Sequence, residues 1–323
     1  MHPALERIKG KRVLVVGDVV LDHYVWGDVE RISPEAPVPV VRVTREEDMP
    51  GAAANVAMNL AALDAKPIML SVVGDDADGA RLRDLLQGAN VDCTYLMVRS
   101  GGRTTRKERI LARSQHVVRV DWDNMLDTPI VRQCGIFSAL EHAMPVCDAV
   151  IVQDYNKGLV QPEMLEMMAG TNVPVVVDPN RYHSLRYRGT VATPNLEEAR
   201  ILSGAQCASA DAINHLPELA QGVFERHDLG ALVITLGEKG IALCEPEGGV
   251  RTRPVAVTHD VYDVSGAGDT VCAVLAVALA AGTDMWEACE LANAAGGIVV
   301  GKMGTATTTR AEIQALLDSQ ATT

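Results

Sequence analysis

Short runs of valine, isoleucine and leucine alternate along this chain with segments of helical period, and that alternation narrows the fold more than any other feature. The runs are Val13–Val16, Ile68–Val73, Ala149–Val152, Val173–Val177 and Leu232–Ile234. Between them lie Ala52–Leu63, Ala80–Leu86, Ile130–Ala143, Glu163–Ala169 and Ala212–Phe224. Continuous apolar runs suit strands buried on both faces, and an intervening helix supplies the crossover that a parallel pair requires. The expected fold is α/β, a mostly parallel central sheet flanked by helices. Ligands in such sheets bind beyond the carboxyl ends of the strands, which is where chemistry should be sought.

Two stretches break the alternation: Val38–Val43, and Tyr95–Val120, in which Leu96–Val98, Thr104–Ile110 and His116–Val120 follow one another without a helix. They predict β insertions over about 37–44 and 95–121 in a single domain spanning 1–323. A small sheet cannot bury both faces alone, so it should cover the site as a lid, pack on a second copy, or do both. A homodimer through the lid is the expectation. Residues 318–323 read as a frayed tail.

At 323 residues and 48% hydrophobic content the chain can bury a sizeable core. A formal charge of −13 opposes a nucleic-acid partner, because that affinity rests on Lys and Arg neutralising phosphates. Any phosphate site must be local. The first twenty residues lack a basic segment followed by a signal-type apolar stretch. The longest apolar run, Val271–Ala281, is too short to span a bilayer, so no membrane partner is expected and the cytoplasm is the expected compartment. Cysteines 93, 134, 147, 207, 244, 272 and 289 are scattered and odd in number, which suggests buried thiols rather than a disulfide framework or zinc site. The histidines form no HExxH spacing and no GxSxG elbow occurs, so hydrolase and metalloenzyme readings lose support.

The strongest chemical signal is Asp263-Val-Ser-Gly-Ala-Gly-Asp-Thr-Val271, which opens the apolar run. Glycines 266 and 268 let backbone N–H groups approach a phosphate, and the first helical turn adds partial positive charge. A carboxylate there would repel phosphate. Asp269 therefore reads as a base for a nucleophile attacking a phosphoryl group held by Gly266, Ala267 and Gly268, beside the plainer reading of a cap followed by glycine turns.

Weaker signals surround it. Asp18 and Asp22, after the first strand, suit sugar hydroxyls or an ordinary turn. Gly51 and Asn55, opening another helix, suit close approach of a polyol or a plain helix start. Thr193-Pro-Asn-Leu-Glu-Glu198 puts Asn195 and Glu198 at a helix head, as ligands of Mg2+ partly through water or as a capping motif. Thr235, Gly237 and Gly240 could pass under a nucleotide. Arg103, Arg106, Lys107, Arg109 and Arg113 make a basic cluster in an acidic chain, a clamp for a phosphate already on the substrate or a charged β edge. Lys157, in Asp154-Tyr-Asn-Lys-Gly158, suits phosphate or sugar contact, or a surface turn. Gly296–Lys302 imitates the start of a P-loop, but Met303 replaces the hydroxyl residue that magnesium needs, and the segment reads as helix packing.

In order and separation, Gly17-Asp18, Gly51…Asn55, Asn195-Leu-Glu-Glu198 and Asp263…Asp269 resemble the ribokinase-like (PfkB-type) carbohydrate kinases over nearly the whole chain. The resemblance implies a central sheet with a β-lid, ATP as phosphoryl donor, Asp269 as base and the Gly266–Gly268 turn as anion hole. It also implies that Asn195 and Glu198 organise Mg-ATP; that Thr235, Gly237, Gly240 and Asn293 line the nucleotide site; and that Asp18, Gly51 and Asn55 hold the sugar. A monovalent-cation requirement stays open. Within the family, Val15–Tyr24, Ser33–Val40, Pro50–Ala57 and Arg103-Thr-Thr-Arg-Lys107 are similar to the bacterial heptose 7-phosphate kinases of lipopolysaccharide-core synthesis, which phosphorylate the anomeric hydroxyl. A phosphorylated sugar is then the expected substrate, with Arg106, Lys107 and Lys157 on its phosphate and Asp22 and Asp154 beside it. The alternatives are a ribokinase-like kinase for another sugar or nucleoside, or a non-catalytic sugar- or nucleotide-binding regulator. Ala52 stands where the family commonly has glycine, and Val264-Ser265 where it has two threonines; both changes should preserve the turn. Some relatives carry a fused nucleotidyltransferase, so adenylylation is expected from another protein.

Overall fold

The computed structural model describes residues 2–112, 115–180, 182, 185–206, 209–247, 249–255, 264–302 and 304–321. Its strands are β1 (Arg12–Gly17), β2 (Val19–Ile32), β3 (Pro39–Ala52), β4 (Lys66–Gly74), β5 (Asp92–Arg99), β6 (Arg106–Ala112), β7 (Gln115–Trp122), β8 (Ala149–Gln153) and β9 (Val175–Asp178). Then follow β10 (Arg188–Gly189), β11 (Val191–Ala192), β12 (Asp228–Leu229), β13 (Leu232–Thr235), β14 (Ile241–Glu245) and β15 (Gly249–Arg253). The helices are α1 (Pro3–Arg7), α2 (Ala53–Ala62), α3 (Ala77–Gly88), α4 (Thr128–Gln133), α5 (Ile136–Ala143), α6 (Pro162–Ala169), α7 (Leu196–Ser203), α8 (Leu216–Arg226), α9 (Ala267–Ala280), α10 (Met285–Val299) and α11 (Arg310–Ala321).

Among the described residues the large sheet runs β15-β14-β13-β11-β9-β8-β1-β4-β5, parallel throughout except for the antiparallel β14 and β15 at one edge. Its apolar strands divide by alternation. Val13, Val15, Met69, Ile151, Val176 and Val233 face α2, α9 and α10, whereas Leu14, Val16, Leu70, Val150, Val177 and Ile234 face α5, α6 and α8. Asp269 through Ala278 of α9 are all buried, so this helix lies inside the fold with little polar face of its own.

A second sheet, ordered β3-β2-β6-β7, is the one expected to act as a lid. It is mixed rather than purely antiparallel, because β2 pairs with β6 in parallel. It is also larger than the pattern breaks suggest: β2 and β3 form a hairpin from Val19 to Ala52. Leu96–Val98 belongs instead to β5, the edge of the large sheet. The helical pattern of Ile130–Ala143 splits into α4 and α5 at Gly135, whose φ of 75° continues no α-helix. The 212–224 segment begins as a 3-10 turn before α8, and α11 continues to Ala321 where a frayed tail was expected. Cys93, Cys147, Cys244, Cys272 and Cys289 are buried free thiols, with Cys134 half-buried. Cys207, Arg113, Asp263 and Met303 lie outside the described residues.

Candidate active site

Gly266 caps α9 with φ 78°, a left-handed conformation that lets the chain turn into the helix. A Cβ at Gly266 would stand 2.7 Å from Asn55 Nδ2, while one at Gly268 would meet nothing within 4 Å. The turn is thus closed towards Asn55 and open at Gly268, where the N–H groups of the first helical turn have no intrahelical acceptors.

Asp269 stands in that first turn, 5% exposed. Its Oδ2 accepts from Asn55 Nδ2 at 2.7 Å, and its Oδ1 accepts from Gln153 Nε2 at 3.0 Å with the Tyr155 hydroxyl at 3.5 Å. Burial pushes its carboxyl up to about 7; the Asn55 hydrogen bond opposes this, and Asp22 adds to it. Asn55 is fixed in turn by Asn59, which donates to the Asn55 carbonyl at 2.9 Å and accepts from the Thr270 hydroxyl at 2.9 Å. Asn59 lies one helical turn beyond Asn55, so the i, i+4 spacing was a usable signal for it.

Gln153 ends β8 fully buried, and its Nε2 also donates to Asp178 Oδ2 at 2.7 Å. The Asp178 carboxyl is raised well above the usual range by burial, then by Glu198 and Asp269 nearby. Tyr155, held against Asp269, has its phenol raised chiefly by that carboxylate, and Lys107 Nζ lies 5.4 Å from its ring centroid. Gln153, Tyr155 and Asp178 escaped the sequence reading; the one hint was a polar residue closing the apolar run of β8.

The lid brings Asp22 and Lys107 together, because they are paired partners across β2 and β6. Gly51 makes room for this: a Cβ there would lie 2.2 Å from Asp22 Oδ2. Arg109, two residues along from Lys107 and on the same face, pairs with Asp22 and stacks over Tyr24. Burial lowers the Lys107 pKa, with Asp22 and Asp121 opposing. Arg106 points the other way, towards Asp78 at 3.4 Å and Glu108 at 3.1 Å, over the Trp122 ring. Arg106 and Lys107, expected together on one phosphate, therefore stand on opposite sides of β6, because neighbours on a strand alternate, and Arg109 shares the side of Lys107.

Other expected binders have structural employment. Asp18 accepts backbone N–H bonds from Tyr155, Lys157 and Leu159 at 3.0–3.1 Å, which fixes the loop after β8. Burial still holds its carboxyl up at about 6. Asp154 accepts from the Tyr187 hydroxyl at 2.7 Å and the Asn156 N–H at 2.8 Å. Lys157 Nζ pairs with Asp123 at 2.7 Å. Asn195 and Glu198 form a reciprocal capping box on α7, each side chain accepting the other's backbone N–H at 2.9 Å. Ala52 keeps the turn expected of it, but at φ 55°, where glycine would be unstrained.

Beside the α9 turn lies a cavity of about 660 Å³. Asn195, Thr235, Gly237, Gly240, Ala267, Gly268 and Asn293 line it, so the expected nucleotide residues converge with the exception of Glu198. Gly237 and Gly240 have φ of 61° and 92°, and a Cβ at Gly240 would meet Arg253 O at 1.9 Å. Gly296 of α10 packs on Val271 as the helix-packing reading expects, and together with Gly297 it also forms cavity wall.

The model of the pfkB family carbohydrate kinases matches residues 11–312. The D-beta-D-heptose 7-phosphate kinase of Bordetella bronchiseptica is 44% identical over 315 residues, covering 97% of both chains. The bifunctional protein HldE of Citrifermentans bemidjiense is 41% identical over 96% of this chain, which spans 64% of that longer protein. Phosphofructokinase-2 of Escherichia coli superposes with a TM-score of 0.76 at 17% identity, covering 97% of this chain and 99% of that one. Arabidopsis thaliana ribokinase gives 0.70 at 19%, covering 96% and 99%. The two structural likenesses speak to the fold.

Proposed function

The chain belongs to the pfkB family of carbohydrate kinases, and from that premise we propose that it transfers the γ-phosphoryl group of ATP to O-1 of D-glycero-β-D-manno-heptose 7-phosphate. The product is the 1,7-bisphosphate, a step in ADP-heptose and lipopolysaccharide-core synthesis. The observation that carries the reading is a buried carboxylate, Asp269, in the first turn of a helix whose glycine-bounded N-terminus opens onto a nucleotide-sized cavity.

The nucleotide occupies that cavity with its γ-phosphate over the Gly266–Gly268 turn, where backbone N–H groups meet the charge that develops during transfer. Oδ1 of Asp269 already faces two donors, Gln153 and Tyr155, whereas among the described residues Oδ2 faces only Asn55. A carboxylate oxygen accepts two hydrogen bonds, so Oδ2 is the atom that receives the O-1 proton. Lys107 and Arg109 on the lid, balanced by Asp22, form the cationic wall for the phosphate already on the sugar. Closure of the lid excludes water that would otherwise take the phosphoryl group.

Mg2+ fits beside Glu198. Burial first, and then the Glu198 carboxylate, raises Asp178, and a divalent cation would relieve the field between the two acids. Asn195 and Glu198 would hold it largely through water, and the ion would neutralise charge on the ATP phosphates. Ile32, Val38, Val43, Val118 and Val120 of the lid segments are exposed, which supports a homodimer through the lid. A monomer by light scattering at micromolar concentration would contradict that arrangement. Among the described residues no helix is long and apolar enough to cross a membrane, and the cytoplasm is the compartment proposed.

The test follows ADP release with heptose 7-phosphate, ribose, fructose and adenosine as acceptors. The reading expects kcat/KM for the heptose to exceed the others by at least about tenfold, the contribution of one charge-assisted phosphate contact. Preference for an unphosphorylated acceptor would move the chain elsewhere in the family, and binding without turnover would make it a regulator.

A further inference from the structure

Gln153 has an arrangement that stability does not explain. It is fully buried, its two amide protons are spent on two different carboxyl groups, and among the described residues its own Oε1 has no hydrogen-bond partner. A buried polar atom left unpaired costs free energy, and an apolar side chain at the end of an apolar strand would avoid that cost. Turning the amide over would set Oε1 against oxygens of both acids, where it could pair only with a protonated carboxyl and never with an ionised one. The orientation is imposed by Asp269 and Asp178.

We propose that Gln153 is a positioning residue for phosphoryl transfer, whose amide nitrogen bridges Asp269 and Asp178 and leaves Oδ2 of Asp269 as the oxygen presented to the acceptor hydroxyl. The proposal rests on the reading of Asp269 as the base. Asp269 rises from α9 and Asp178 ends β9, and among the described residues no backbone hydrogen bond joins those two elements. One amide spanning them fixes the base against the sheet as well as against Asn55 on α2. Because that nitrogen can only donate, it also favours the ionised form of both acids.

The charged and titratable groups facing Asp269 are Asp22 of β2, Lys107 of β6, Tyr155 after β8, Asp178 of β9 and Cys272 on α9 itself, with Glu198 of α7 acting on Asp178. None of them replaces the donor that Gln153 supplies between the two acids.

The test is the pH profile of kcat/KM for the phosphorylated sugar on the full chain, comparing wild type, Gln153→Met and Gln153→Glu, with Asp269→Asn as reference. Loss of one donor in Gln153→Met should move the acid limb to higher pH by about one unit and cut kcat/KM at pH 7 about fivefold, since the ionised fraction of a base near 7 then falls from about a half to about a tenth. Activity should recover towards the wild-type plateau above about pH 8.5, while KM for ATP changes less than about twofold. Gln153→Glu keeps the shape of the side chain, so it remains measurable if methionine is not tolerated, and its added carboxyl should move the limb at least as far. Limbs that superimpose on wild type, with only a lowered plateau, would overturn the positioning role even with Asp269→Asn inactive. An active Asp269→Asn would overturn the base reading and this proposal with it.

Discussion

Replacing Asp269 by asparagine should affect stability and turnover in separable ways, and the stability effect has a defined sign. In the folded protein burial raises the carboxyl from 3.8 to about 7. The folded state therefore binds this proton more tightly than the unfolded chain, and stability falls as pH rises between the two values. The penalty is absent below about pH 4, grows by ~1.4 kcal/mol per pH unit, and reaches ~4 kcal/mol above pH 7. Asparagine does not titrate. It also turns an NH2 towards one of two donors, Asn55 Nδ2 or Gln153 Nε2, but that cost is independent of pH and cancels from the slope. Urea denaturation of both proteins, without ligands, should show the variant gaining on wild type as pH increases, by up to ~4 kcal/mol across the range. Turnover should fall by about 10²–10⁴ while ATP binding persists. Parallel stability curves would refute the claim that this carboxyl is held ionised at a cost, and near-normal turnover would remove it as base.

Three further outcomes follow. Gly266→Ala should lower kcat by at least about 10²-fold and stability by ~1–3 kcal/mol, because its φ of 78° is strained for alanine and the added Cβ reaches Asn55 Nδ2; wild-type kinetics would contradict the role of the turn. Lys107→Ala should raise KM for the phosphorylated sugar by about ten- to hundredfold while leaving that for ATP nearly unchanged, and Arg106→Ala should leave both nearly unchanged; matching effects of the two variants would remove the assignment by strand face. Ala52→Gly should stabilise by ~1 kcal/mol, since relief at φ 55° exceeds the loss of one buried methyl, and an unchanged or lower Tm would count against strain there.

The central sheet was legible because strands buried on both faces advertise themselves as uninterrupted apolar runs. The lid was legible only in part, because charged residues interrupt both strands of its hairpin: Asp22, Asp28 and Glu30 in β2, and Arg45, Glu46, Glu47 and Asp48 in β3. Strand periodicity already separated Arg106 from Lys107, but which of them faces the site depends on the register with β2, a long-range pairing that local patterns do not encode. The capping box at Asn195 and the glycine turn before Asp269 were readable from spacing alone, since their hydrogen bonds close within a few residues. Gln153 and Asp178 were not, because each acquires its significance only from β8, β9 and α9 meeting in space.

Phosphorus NMR of the products formed from ATP and D-glycero-β-D-manno-heptose 7-phosphate bears most directly on the proposal that Asp269 activates the anomeric hydroxyl for attack on a phosphoryl group held at the α9 turn. The expected result is a new phosphate resonance coupled to the sugar's anomeric proton, formed in step with ADP by wild type and lost with Asp269→Asn. Phosphate arriving at another hydroxyl, or ADP accompanied only by inorganic phosphate, would contradict the account.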